Sequence, residues 1–105
     1  MEGLELIAFE IISNVGMAKS LAIEALRDVR SGKYEEGKSK LNEASEFLVK
    51  GHHAHADLIQ KEASGEKVEF SLIVIHAEDQ MMAAETIKSL VEEMIEMYKD
   101  LKEIR

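Results

Sequence analysis

Leu72-Ile73-Val74-Ile75-His76-Ala77-Glu78-Asp79-Gln80-Met81-Met82 decides how this chain folds. Its first four residues form an apolar run that periodicity alone cannot separate from a buried strand. The continuation decides for helix. Leu72, Ile75, Asp79, Met82, Thr86, Leu90, Met94, Met97 and Leu101 recur at helical spacing, and this row is expected to be the inner face of the helix. On such a helix His76 shares a face with Asp79 and with Gln80, because residues three and four apart stack one turn above the other. A carboxylate in an apolar seam is costly unless it is paired or ligated, so Asp79 calls for a function.

Working outward, this third helical pattern is expected to start at about Val68, after a turn at Ser64-Gly65-Glu66-Lys67. Before the turn, Tyr34, Leu41, Leu48 and His55 recur every seven residues, with Gly37, Ala44, Gly51 and Leu58 three further on. Small residues along such a heptad seam predict helices packed closely side by side. The first pattern runs from Leu4 to Val29 and closes at Ser31-Gly32, where glycine suits the C′ position of a helix. It spans about 27 residues, or roughly 40 Å. Gly16 lies inside it, and close approach of another backbone is expected there. Three long helices joined by short turns predict an all-α, up-down-up three-helix bundle forming one domain over residues 1–105.

The composition agrees. There is no proline, there are few aromatics, and Ala, Leu, Ile, Glu and Lys abound. The absence of cysteine excludes disulfides, thiol chemistry and thiolate metal sites. A net charge of −8 argues against a nucleic-acid partner and against an anionic membrane surface. The unbroken apolar runs are short of the ~20 residues that span a bilayer, and the start Met1-Glu2-Gly3-Leu4-Glu5 lacks the basic region of a signal peptide. The expectation is a cytoplasmic protein, without membrane insertion. A domain this short buries roughly 60–68% of its unfolded surface, so oligomerisation would supplement its stability.

His76 is either a core histidine with a satisfied hydrogen bond or a nucleophile. An imidazole ordinarily titrates near about 6.5, so its neutral form is available without an auxiliary base. A phosphoryl group suits it, since phosphoryl transfer needs mainly positioning and electrostatic support. Asp79 has three outlets: pairing with His76, pairing with a lysine of another helix, or facing its own copies across a symmetry axis. In the last case the carboxylates must share protons or a hard cation such as Mg²⁺. His52, His53 and His55 form a second group, and His52 and His55 lie one turn apart as zinc-ligating imidazoles can. No third ligand is evident, so solvated or partly packed histidines are the simpler reading. Met81, Met82, Met94 and Met97 read as core filling. Glu85, Glu92, Glu93 and Glu96 read as a solvated face that could also meet a partner.

His76-Ala77-Glu78-Asp79-Gln80-Met81-Met82 resembles the signature of the lactose/cellobiose-specific IIA component of the bacterial phosphoenolpyruvate-dependent sugar phosphotransferase system. That signature runs histidine, alanine or glycine, glutamine, aspartate, histidine, leucine, methionine. Ile11-Ile12-Ser13-Asn14-Val15-Gly16-Met17-Ala18-Lys19-Ser20, Glu24-Ala25-Leu26 and Leu58-Ile59-Gln60-Lys61-Glu62-Ala63-Ser64-Gly65-Glu66 resemble the family at the expected places, so the likeness covers nearly the whole chain.

The resemblance implies a three-helix protomer assembled as a homotrimer. It maps the phosphorylated histidine onto His76 and the metal-coordinating aspartate onto Asp79, with one Mg²⁺ per trimer on the axis. The phosphoryl group would arrive from the phosphohistidine carrier HPr and leave for the cysteine of a sugar-specific IIB protein, during uptake of a β-linked disaccharide such as lactose or cellobiose. Gln80, one turn beyond His76, would contact the phosphoryl oxygens. The chain departs from the family pattern at Glu78, where glutamine is usual, and at Gln80 and Met81. In the second helix His55 and Ala56 replace glutamine and threonine. The contrasting readings are a helical oligomerisation or adaptor module without chemistry, and a zinc-binding bundle built on His52 and His55.

Overall fold

The computed structural model describes residues 3–69 and 71–104. Met1 and Glu2, part of the N-terminal segment read above, lie outside them, as do Phe70 and Arg105. Three helices make up the chain: α1 Gly3–Arg30, α2 Tyr34–Ala63 and α3 Leu72–Ile104. They lie side by side in a rod of 57 × 21 × 19 Å. Their order is up-down-up, as expected. Lys40 of α2 meets Glu24 and Asp28 of α1, and His55 and His52 of α2 meet Glu78 and Glu85 of α3.

Both connections are closed by glycine. Gly32 has φ +82° and Gly65 φ +92°, the left-handed region in which an L side chain is strained. Around Gly32, Lys33 N–H donates to the Asp28 carbonyl at 2.8 Å and Gly32 N–H to that of Val29 at 3.0 Å. Glu66 and Gly65 repeat the pattern onto Lys61 and Glu62 at 3.0 and 3.1 Å. Each pair of bonds satisfies carbonyls that the helix end would otherwise leave open.

α1 is the spine: it packs along both α2 and α3, whose backbones come close to each other at few points. It is also long and apolar enough, by length and composition, to cross a bilayer, although its unbroken apolar runs are short. Here Ala8, Ile11, Val15, Ala18, Ala22, Ala25 and Val29 are buried within the chain. The core is thin and rich in alanine, and among the described residues Ile11 and Val15 are its largest fully buried side chains. Alanine and glycine let the axes come close. A Cβ on Gly37 would stand 2.8 Å from Val29 Cγ2 and 2.9 Å from the Ala25 carbonyl oxygen, and one on Gly51 would stand 2.7 Å from Val15 Cγ1. The small-residue seam of α2 is therefore real, but the close approach expected at Gly16 is not found: nothing among the described residues lies within 4 Å of a Cβ there.

Two further expectations are corrected in α3. The helix starts at Leu72 rather than Val68, because residues 66–69 are extended or irregular and Ser71 caps the helix, its Oγ accepting from Val74 N–H at 3.3 Å. The second correction is larger. The face that packs on α1 is Ala77, Met81, Ala84, Val91 and Ile95. The row expected to face inward points outward, from 44% exposed at Met94 to 83% at Leu72, and Asp79 and Thr86 are exposed with it. Of the methionines read as core filling in α3, Met81 alone is buried, while Met82, Met94 and Met97 lie on this outer row.

Candidate functional site

The site is built on the first turns of α3. Ala77 and Met81 are buried against the rest of the chain, with Ile73 and Val74 packed beside them. These contacts leave the opposite side of the same turns free. There His76 and Asp79 are exposed and Gln80 is half-buried. None of the three makes a side-chain hydrogen bond or ion pair among the described residues. The core-histidine reading of His76 is thereby excluded. So are the pairings of Asp79 with His76 or with a lysine of the same chain.

An imidazole in open solvent on a pinned helix can act as a nucleophile toward a group delivered by another molecule. It needs no base, because the neutral ring carries a lone pair of its own. A groove of about 170 Å³ between α2 and the start of α3 is lined by Leu58, Ile59, Val74, Ile75 and Glu78, and His76 is not part of its wall. The ring addresses the surface, where a macromolecular partner would meet it.

Asp79 stands in the outward row, between Ile75 and Met82. Hydrated as it is in the single chain, it carries no burial cost. That cost arises only when the apolar row around it is covered. Monomeric proteins rarely expose a contiguous apolar surface of this length, which marks the row as an interaction face.

The second histidine group is placed across the gap between α2 and α3. His55 Nε2 lies 2.7 and 2.9 Å from the two carboxylate oxygens of Glu78, donating between them. His52 Nε2 lies 3.4 Å from Glu85. Two of the departures from the family pattern, His55 and Glu78, thus meet each other. They lie 23 positions apart in the chain, and no local spacing reveals the contact. His52 and His55 are engaged by different carboxylates, and among the described residues no three His, Asp or Glu side chains converge into a metal site. Glu92 and Glu96 of the acidic face pair locally with Lys88 and Lys99.

At the far end of the rod, Lys40 joins α2 to α1 through Asp28 at 2.9 Å and Glu24 at 3.5 Å. The ion pair with Asp28, assisted by Glu24 against a desolvation that opposes them, holds the Lys40 ammonium above its ordinary value of 10.5.

Residues 6–99 match the family model described as PTS system, Lactose/Cellobiose specific IIA subunit. The lichenan-specific phosphotransferase enzyme IIA component of Bacillus subtilis is 44% identical over 104 residues, covering 99% of this chain and 94% of that protein. Among solved structures, the cellobiose-specific enzyme IIA from Bacillus anthracis superposes with a TM-score of 0.93 at 43% identity, covering 97% of this chain and 94% of that one. The IIA(Chitobiose)–HPr complex of Escherichia coli superposes with a TM-score of 0.82 at 30% identity, covering 97% and 99%.

Proposed function

The chain belongs to the lactose/cellobiose-specific IIA family of the sugar phosphotransferase system, and from that premise we propose that His76 is its phosphoacceptor. The protein is a phosphocarrier: it takes a phosphoryl group from phosphorylated HPr on a histidine and passes it on in the uptake of a β-linked disaccharide. The observation that carries the assignment to His76 is its ring, exposed and unengaged on a helix whose other side is locked into the core.

In the first step the lone pair of the neutral His76 ring, at Nε2, attacks the phosphorus held by the donor histidine. A new N–P bond forms as the donor's N–P bond breaks, and the donor imidazole leaves with its electron pair. In the second step the cysteine thiolate of a sugar-specific IIB protein attacks the same phosphorus. An S–P bond forms, the N–P bond to His76 breaks, and the ring returns to its starting state. Gln80 stands one turn away and offers its amide N–H to the phosphoryl oxygens. The chain supplies a fixed direction of approach, which is most of what phosphoryl transfer demands. We place the protein in the cytoplasm, where a donor and an acceptor of this kind can reach it.

We assign the outward row of α3 to a homotrimer in which three copies of this helix cover one another. The exposed Leu72, Ile75, Met82, Leu90, Met94 and Met97 support this reading. So does the carboxylate of Asp79, which has no partner among the described residues and would meet its copies there. Hard carboxylate oxygens suit Mg²⁺, and Asp79 is the residue that would hold it. When bound, the ion neutralises converging charges and takes no part in the transfer.

The test is incubation with phosphoenolpyruvate, enzyme I and HPr, followed by intact mass. One acid-labile phosphate should add to the wild-type chain and none to a His76→Ala chain that remains helical. Labelling of the His76→Ala protein would refute the assignment.

A further inference from the structure

We propose that His55 and Glu78 form a positioning pair for the relay. Their bridge fixes the rotation of the first turns of α3 against α2, and so sets the direction in which His76 and Gln80 project. The proposal rests on His76 being the phosphoacceptor.

Three observations carry it. First, the backbones of α2 and α3 come close at few points, their side chains meeting mainly through Met81 beside Gly51, so there is little close helix-to-helix packing to hold their relative setting. Second, His55 Nε2 reaches both oxygens of Glu78, at 2.7 and 2.9 Å, and the pair is partly shielded, with side chains 24% and 42% exposed. A two-oxygen contact constrains direction as well as distance. The neighbouring His52–Glu85 pair is longer, at 3.4 Å, and more exposed, at 51% and 45%. Third, the bridge is tied to the chain where α3 is least supported. The helix begins six residues earlier, at Ser71 and Leu72, on a long cap hydrogen bond of 3.3 Å that follows an irregular segment.

Glu78 lies about 200° around the helix from His76, so the two side chains cannot meet the same phosphoryl group. The pair acts through the helix. With Ala77 and Met81 pressed on the core and Glu78 held by α2, the turn is fixed at two points of its circumference. Its third side, carrying His76, can then point one way only. Without the bridge the turn is held by the core contact alone and can roll about it. Such misplacement weakens a reaction that depends on alignment.

The experiment measures phosphoryl transfer from phosphorylated HPr, with kcat and KM taken separately, alongside thermal unfolding. His55→Ala and Glu78→Ala should each lower kcat about three- to tenfold, with KM and Tm nearly unmoved. The double alanine variant should do no worse than the poorer single, because both remove one contact. The amide pair His55→Gln/Glu78→Gln, which can remake a hydrogen bond, should recover most of the rate. His52→Ala should transfer at the wild-type rate. Losses that add in the double variant, singles that match wild type, or a loss confined to KM would overturn the proposal. A second readout needs no transfer at all: in the unphosphorylated protein, the imidazole ¹⁵N resonances of His76 should shift in Glu78→Ala and stay put in His52→Ala. An unmoved His76 signal in Glu78→Ala also overturns it, whereas phosphate labelling of His76→Ala would strike the phosphoacceptor assignment instead.

Discussion

Gly51→Ala sets two effects against each other, and the geometry decides between them. Alanine is favoured over glycine in a helix interior by about 0.8–1.0 kcal/mol. At Gly51 the added Cβ would stand 2.7 Å from Val15 Cγ1, with Met81 Cε and Sδ at 3.6 and 3.7 Å. The tip of Met81 is at ordinary contact distance and can move. Val15 cannot: it is 1% exposed, and a β-branched side chain has essentially one rotamer in a helix. The clash must be relieved by parting α1 from α2, and overpacking of this kind costs roughly 1–3 kcal/mol. The net loss should centre near 1 kcal/mol, about the middle of the difference between those two ranges. Gly16→Ala is the control, since nothing among the described residues meets its Cβ and it should gain about 0.4–1 kcal/mol. Urea unfolding at one fixed chain concentration reads both, the fixed concentration being needed because assembly would shift the midpoint by mass action. A Gly51→Ala protein as stable as wild type would mean that α1 and α2 separate at no cost, and the reason for glycine at that position would be gone.

Asp79→Leu should keep or strengthen the assembly, by up to about 4 kcal/mol, because an apolar side chain removes the cost of burying a carboxylate. Sedimentation showing monomers would count against an axial Asp79. Lys40 has its folded value raised, so the stability it contributes is fully present below its ordinary value of 10.5 and is lost as pH rises through the higher folded value. The Tm difference between wild type and Lys40→Met should therefore be flat from about pH 6 to 9 and shrink only in strongly alkaline buffer. A difference that vanished near neutrality would assign the effect to another group.

Helix number, order and C-terminal ends were legible because their causes are local. Gly32 and Gly65 each provide the left-handed residue that closes a helix, and such chemistry is visible at a single position. The start of α3 was less so, since Val68 extends the apolar spacing although the cap is Ser71. The inner face of α3 was not legible, for a deeper reason. This helix carries two apolar rows, and the bulkier one signals more strongly than the row containing Ala77 and Ala84. Periodicity reports that a row is apolar but not what covers it. Close packing favours the small residues, so the weaker signal marked the true contact with α1. The same logic separates Gly16 from Gly37 and Gly51, which look alike in sequence and differ only in what faces them. His76 was legible as a residue, but its exposure was not, and the His55–Glu78 bridge needed the third dimension altogether.

The outward setting of the bulky row bears on how the site works. A relay must show its ring to two partners in turn, which forbids burial, yet the ring needs a rigid mount, which burial normally provides. Around α3, His76 falls between the face packed on α1 and the outward apolar row, about 70° from the middle of the latter. Covering that row with other copies would stiffen the helix on a third side and still leave the ring on the rim. Had the bulky row been the inner face of the protomer, His76 would sit at the edge of its core, with one side rather than two held by packing. The thin alanine core of the single chain is thus no shortfall. It leaves the larger side chains of α3 free for assembly, and such a second burial would bring Asp79 to its copies and add to the hold that the His55–Glu78 bridge has on the turn carrying His76.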